Sequence, residues 1–274
     1  MKAADVFKRR IALTQEHGSW VFLLSPFLIG TAAANRWTWD TVFLTAAVLG
    51  GFLLRHPLTL VVKTLSGRKR REDLVPALFW SGLYGLVSAG GALALILGGF
   101  GYLVSLVIPG LGVLIWYLIL VSRRQERGQI GLELVGSGVL ALTAPAGYWV
   151  GIGEAAGAGW WLWGLTWFQS AASIVYAYLR LEQRKWVSEP DLRVQIRAGT
   201  RAFAYSSFNL LAAGLFAALS LLPAWIFLPY LLQWLETSWG ILNPAVGKRP
   251  AAIGTRQLAV SVLFTVSFIL AWHL

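Results

Sequence analysis

The chain has no cysteine, which excludes disulfides, cysteine-ligated metals and thiol catalysis. Histidine is almost as scarce: three residues, at 17, 56 and 273, too few for a histidine-rich metal site. Acids number 12 against 23 Lys and Arg, and only 13% of residues are charged, where soluble proteins hold roughly a quarter. The charged coat of a soluble domain is therefore missing. So are a nucleophile motif, a Gly-rich phosphate loop and a metal-ligand cluster. The 29 glycines follow no fingerprint spacing. No metal or cofactor is expected, and no residue declares itself catalytic.

What is there is apolar. Of 274 residues 57% are hydrophobic, and Trp occurs 15 times. Gly is enriched in membrane helices and Trp at membrane interfaces. The formal charge of +11 would suggest nucleic acid in a soluble protein. Here the basic residues stand between apolar runs, which is the positive-inside pattern instead, and no nucleic-acid partner is expected. The basic first ten residues lead into a full apolar span rather than a short cleavable signal.

The apolar runs predict an all-α polytopic membrane protein, residues 1–274 forming one transmembrane domain. Nine helices are expected near 18–35, 40–66, 75–97, 100–121, 130–151, 160–182, 201–221, 223–240 and 257–273. The break at Leu221–Leu222–Pro223 is the least marked. With the N-terminus inside, 22 of the 23 Lys and Arg fall in inside segments and only Arg36 outside. That places the chain in a bacterial cytoplasmic membrane, N-terminus in and C-terminus out. The outer connections are short and the inner ones long and polar, so function is expected on the cytoplasmic side.

Several polar constellations stand out. In Leu54–Asp73, Pro57 is expected to interrupt the second helix. His56, Thr59 and Lys63 share a face there, just before the run Arg68, Lys69, Arg70 and Arg71. This face reads either as snorkelling cations or as an anion pocket. Glu16 and His17, in Gln15–Trp20, read either as a helix start or as a pair facing a cavity. Gln169, Ser173, Tyr176 and Arg180 form one polar stripe down the sixth helix, continued by Arg184. Such a stripe serves as interhelix glue or faces a ligand. Glu133 and Glu236 are the acids nearest the membrane interior, where an acid is functional or paired with a base. If these faces share one cavity, it is lined by Glu16, His17, His56, Lys63, Glu133, Tyr176, Arg180, Arg184 and Glu236. Its basic lining suits an anionic or amphipathic lipid.

The opening QEHGSW with Pro26 behind it, the LRHPL…RKRRED block and the closing IGTRQLAVSVLF resemble the YwiC-like family of bacterial membrane proteins. That resemblance implies a membrane location and brings no reaction with it. The nine-helix layout, with long inner loops after helices two and six, is similar to the UbiA superfamily of membrane prenyltransferases. The likeness implies a helical bundle around a cytoplasm-facing cavity and an isoprenoid or quinone-like ligand. The superfamily's two Asp-rich, Mg²⁺-holding motifs do not carry over. His56 to Lys63 occupy the first region, with Glu72 and Asp73 farther on. Glu182, Glu189 and Asp191 stand among Arg180, Arg184 and Lys185 in the second, and no D-x3-D occurs. A lipid-binding protein is the leading expectation. A transferase with rearranged carboxylates, a transporter and a non-catalytic membrane subunit are the alternatives.

Overall fold

The computed structural model describes residues 9–13, 17–125 and 128–274. Among these residues there are helices and turns and no strand. In chain order the helices are α1 (Arg9–Ala12), α2 (His17–Ala33), α3 (Trp39–Leu65), α4 (Leu74–Leu97), α5 (Val104–Ser122) and α6 (Ile130–Ala141). They continue as α7 (Thr143–Ile152), α8 (Ala158–Gln183), α9 (Leu192–Ala218), α10 (Phe227–Leu242) and α11 (Pro250–His273). The expected helices correspond to α2, α3, α4, α5, the α6–α7 pair, α8, α9, α10 and α11.

Among the described residues five stretches are long and apolar enough to cross a membrane: Trp39–Leu65, Arg71–Leu97, Gly101–Ser122, Ile130–Ile152 and Pro250–His273. The chain is therefore a membrane protein. The apolar part of α2, Gly18–Ala33, is shorter. The polar stripe of α8, the arginines that open α9 and the 16-residue length of α10 keep these three from qualifying by composition and length alone.

Three local differences from the sequence expectation have simple causes. Pro57 does not interrupt α3, which runs unbroken through it. Proline removes one backbone hydrogen bond, and a 27-residue helix packed along α4 absorbs that loss. The fifth expected helix is divided at Leu142, whose N–H turns back to the Val139 carbonyl. Pro145 follows and cannot donate to the carbonyl four residues earlier. Helices α9 and α11 begin at Leu192 and Pro250, well before their apolar runs. Hydropathy marks where lipid begins, and a helix can extend beyond that point. Pro250 sits in the first turn of α11, where a missing N–H costs nothing.

Helix α8 packs against α2, α6, α7, α9, α10 and α11, while α3 packs against α1, α4, α5 and α7. Tyr230 of α10 and Phe264 and Phe268 of α11 are fully buried in one cluster with Leu162 and Leu165 of α8. The Tyr230 hydroxyl is satisfied by donating to the Leu165 carbonyl at 2.9 Å. Gly147 and Gly151 let α7 approach α2, because a Cβ on either would press on Thr31 or Ala34.

The basic ends of the helices meet. Arg68 donates to the Val121 carbonyl at 2.7 Å, joining the ends of α3 and α5. The Gly247 N–H reaches the Arg184 carbonyl at 3.3 Å, joining the end of α8 to the α10–α11 loop. The His273 ring meets the Ala32 carbonyl at 3.0 Å, joining the last turns of α11 and α2. The turn at α1 is clasped to α3 and α4. The His56 ring meets the Arg10 carbonyl at 3.0 Å, Arg10 pairs with Asp73 at 3.0 Å, and Tyr84 donates to the Ala12 carbonyl at 3.0 Å. Ile11, 1% exposed, is the apolar peg of this clasp.

Candidate functional site

The polar stripe of α8 faces α10, and the two helices exchange hydrogen bonds along their length. The Gln233 amide nitrogen donates to the Gln169 carbonyl and to the Ser173 hydroxyl, both at 3.0 Å. Gln169 also donates to Ser173 at 3.0 Å. Gln169 and Ser173 thus bind the two helices together rather than line a cavity. Glue of this kind relieves polar groups that lipid would leave unsatisfied.

Farther toward the C-terminal ends the seam opens. The Tyr176 hydroxyl donates to Glu236 Oε1 at 3.0 Å. Glu236 holds Arg256 of α11 in a fork, with Nε to Oε1 at 2.6 Å and Nη2 to Oε2 at 2.7 Å. The Arg256 guanidinium lies 3.7 Å from the centre of the Trp239 ring, and the Arg180 guanidinium and the Lys248 ammonium each stand 5.8 Å from it. Tyr176, Arg180, Glu236, Lys248, Ile253 and Arg256, with Ala252 and Gln257, line a cavity of about 190 Å³. Three cations and one carboxylate give it a net positive lining. The Gln257 amide nitrogen on its wall is buried and has no partner among the described residues.

Arg180 is the floor of this cavity, and it is 3% exposed. Its Nη1 donates to Gln183 Oε1 at 2.8 Å, to the Asn243 carbonyl at 2.8 Å and to the Gly240 carbonyl. Those two carbonyls belong to the end of α10, where the last C=O groups have no partner inside the helix. A cation is favoured there by the helix dipole as well. Gln183, fully buried, braces the same end, donating to the Gly240 carbonyl at 3.2 Å and accepting from the Ala245 N–H at 3.3 Å. Capping α10 accounts for Nη1 alone. Nε and Nη2 carry further N–H donors with no acceptor among the described residues. No carboxylate pairs with Arg180 there. Gly240 makes the arrangement possible, because a Cβ at that position would overlap the Tyr176 hydroxyl.

The structure thus gathers Tyr176, Arg180 and Glu236 at one cavity, with Arg184 beside it, donating from Nε to the Lys248 carbonyl at 3.4 Å. Glu133 accepts from Tyr178 at 2.7 Å, on the side of α8 that meets α6. His56 belongs to the α1 clasp, and Lys63 stands half-buried and engaged in the last turn of α3. Glu16 and the His17 side chain lie outside the described residues. Sequence reading passed over Gln183, Trp239, Gly240 and Arg256, and saw Lys248 only as a charge of the loop between the last two helices. Gln183 was reachable, since it extends the Tyr176–Arg180 face by one more turn. Gly240 and Arg256 carry no such signal, because their roles depend on how α10 and α11 dock.

No curated protein matches the chain, and no solved structure matches it. A family model described as YwiC-like protein matches residues 13–148, which hold α2 to α6 and the first half of α7. The cavity residues lie C-terminal to that stretch. Through its N-terminal half, which also carries the QEHGSW and LRHPL blocks, the chain belongs to the YwiC-like family.

Proposed function

We propose that this protein crosses a bacterial cytoplasmic membrane nine times, N-terminus inside. In this reading the cavity between α8, α10 and α11 binds the anionic headgroup of an amphipathic lipid of isoprenoid or quinone-like type. The orientation is supported by the Lys/Arg distribution and by the way the basic helix ends touch one another, with Arg68 on Val121 and Gly247 on Arg184. On that orientation the cavity opens at the cytoplasmic end.

The observation that carries the reading is Arg180. A buried guanidinium without a carboxylate is costly unless its donors are used. Three oxygens fix Nη1, so the plane of the group is set in advance. The remaining donors then present a preorganised fork, the geometry that carboxylate and phosphate oxygens fit. Lys248 and Arg256 add positive charge at the mouth, and Ala252 and Ile253 supply an apolar wall for the first carbons of a tail. With cations on the floor and at the mouth, the negative charge of the ligand is met without Mg²⁺. A divalent ion within a few Å of them would be repelled.

The test compares amphiphiles with one tail and different heads. Farnesyl phosphate should raise the thermal unfolding temperature of the detergent-purified protein, and farnesol should leave it unchanged. Equal shifts with both would reject an anion site.

A further inference from the structure

We infer that a second, separate site on this chain holds an anionic phospholipid in the lateral groove over α8, between the start of α6 and the first turns of α9. It does not depend on the cavity proposed above. Helices α6 and α9 both pack closely on α8 but make no comparable contact with each other, which leaves the surface of α8 between them open. The opening is a groove of about 560 Å³. Its floor is apolar and deep: Val175, Leu179 and Ala202 are 4%, 5% and 2% exposed. Ile130 and Ala198 form its sides. The Tyr178 hydroxyl, donating to Glu133, stands where the α6 side meets α8.

The rim has the opposite character. Lys185 and Arg201 stand exposed over the groove with Glu182, so cations exceed acids there. Arg201 continues a row. Arg193, Arg197 and Arg201 are spaced four residues apart and share one face of α9, all exposed. Among them Leu192, Val194 and Ile196 are 56%, 50% and 51% exposed. Basic and apolar side chains mixed on one exposed helix end describe a segment lying in a headgroup layer. Anionic lipids gather where such basic groups border an apolar groove at the cytoplasmic face. The charge of the rim selects the phosphate and a net negative headgroup, while the floor takes the first carbons of the acyl chains. A soluble anion would use the rim and leave the floor exposed. An acidic peptide would leave the floor unmatched as well, so the lipid is the occupant that fits both parts.

Native mass spectrometry of the detergent-purified protein with added phosphatidylglycerol or phosphatidylcholine tests this. The expected result is preferential retention of phosphatidylglycerol. Lys185→Gln/Arg201→Gln should lower that retention several-fold, towards the phosphatidylcholine level. Lys69→Gln/Arg70→Gln, the same charge change in the α3–α4 loop, should leave it unchanged. Ala198→Leu, which fills the groove without touching the charge, should lower retention of both lipids. The loss caused by Lys185→Gln/Arg201→Gln should be the same in an Arg180→Ala background as in the wild type, which separates this site from the α8–α10–α11 cavity. Equal retention of the two lipids by the wild type, or equal loss in both double variants, would overturn the inference.

Discussion

The Tyr176 hydroxyl occupies the space that a side chain on Gly240 would need, and from there it donates to Glu236 at 3.0 Å. One absent methyl group thus lets α10 carry a carboxylate and lets α8 reach it. Gly240→Ala should push Tyr176 off Glu236 and cost about 1–3 kcal/mol of stability, the usual range for overpacking a fitted contact. Tyr176→Phe removes the atom in the way. The double variant should therefore lose less than the sum of the two single losses in thermal unfolding. Strict additivity would mean that the two residues do not meet.

Glu236 is the one acid lining the cavity among the described residues, and it cancels the charge of Arg256. Glu236→Gln should therefore raise the affinity for farnesyl phosphate several-fold, measured by titration calorimetry. Stability should fall by about 1 kcal/mol, because water screens the Arg256 side chain, 42% exposed, while the Glu236 side chain, 12% exposed, keeps an amide oxygen for Tyr176. A fall in affinity would assign Glu236 the role of holding Arg256 in place for the ligand.

The α1 clasp predicts a local effect rather than a global one. His56→Ala with Asp73→Asn removes two of its three polar ties and leaves Tyr84 on Ala12. Trypsin should then cut at Arg10 several-fold faster, while the unfolding temperature moves little, as expected for local opening. Unchanged cleavage would show that Ile11 and Tyr84 hold the segment unaided.

The absence of cysteine makes topology readable one site at a time. Cysteines placed at Gly99 and Leu274 should react with a membrane-impermeant maleimide in intact cells, and those at Lys69 and Val187 only after lysis. A Leu274 site protected in intact cells would change the number of crossings.

Much of this fold was legible in the sequence because lipid imposes long apolar runs with charge at their ends. The helices lie where those runs lie, and the stripe from Gln169 to Arg180 was visible as a period. The starts of α9 and α11 were not, because Leu192–Thr200 and Pro250–Thr255 are helical although they lie outside the apolar runs. Nor could the period tell glue from ligand face. Gln169 and Ser173 share their face with Tyr176 and Arg180, yet only the lower pair reaches a cavity, because α10 and α8 stay in contact above it and α11 brings Arg256 and Gln257 to the opening below. His56 and Glu133 are polar groups near helix ends like Arg180, and only tertiary contacts gave them other partners.

The account turns on Arg180, and one measurement tests it most directly. Binding of farnesyl phosphate to the purified protein is compared for wild type, Arg180→Lys, Arg180→Ala and Glu182→Gln/Asp191→Asn, each with and without EDTA. The account predicts binding that EDTA leaves intact and that the carboxylate variant retains. It predicts at least about a thirtyfold loss in Arg180→Ala, the lower end expected for a buried charge-assisted contact, and an intermediate loss in Arg180→Lys. Binding that collapses in EDTA, or that follows Glu182 and Asp191 and ignores Arg180, would contradict it.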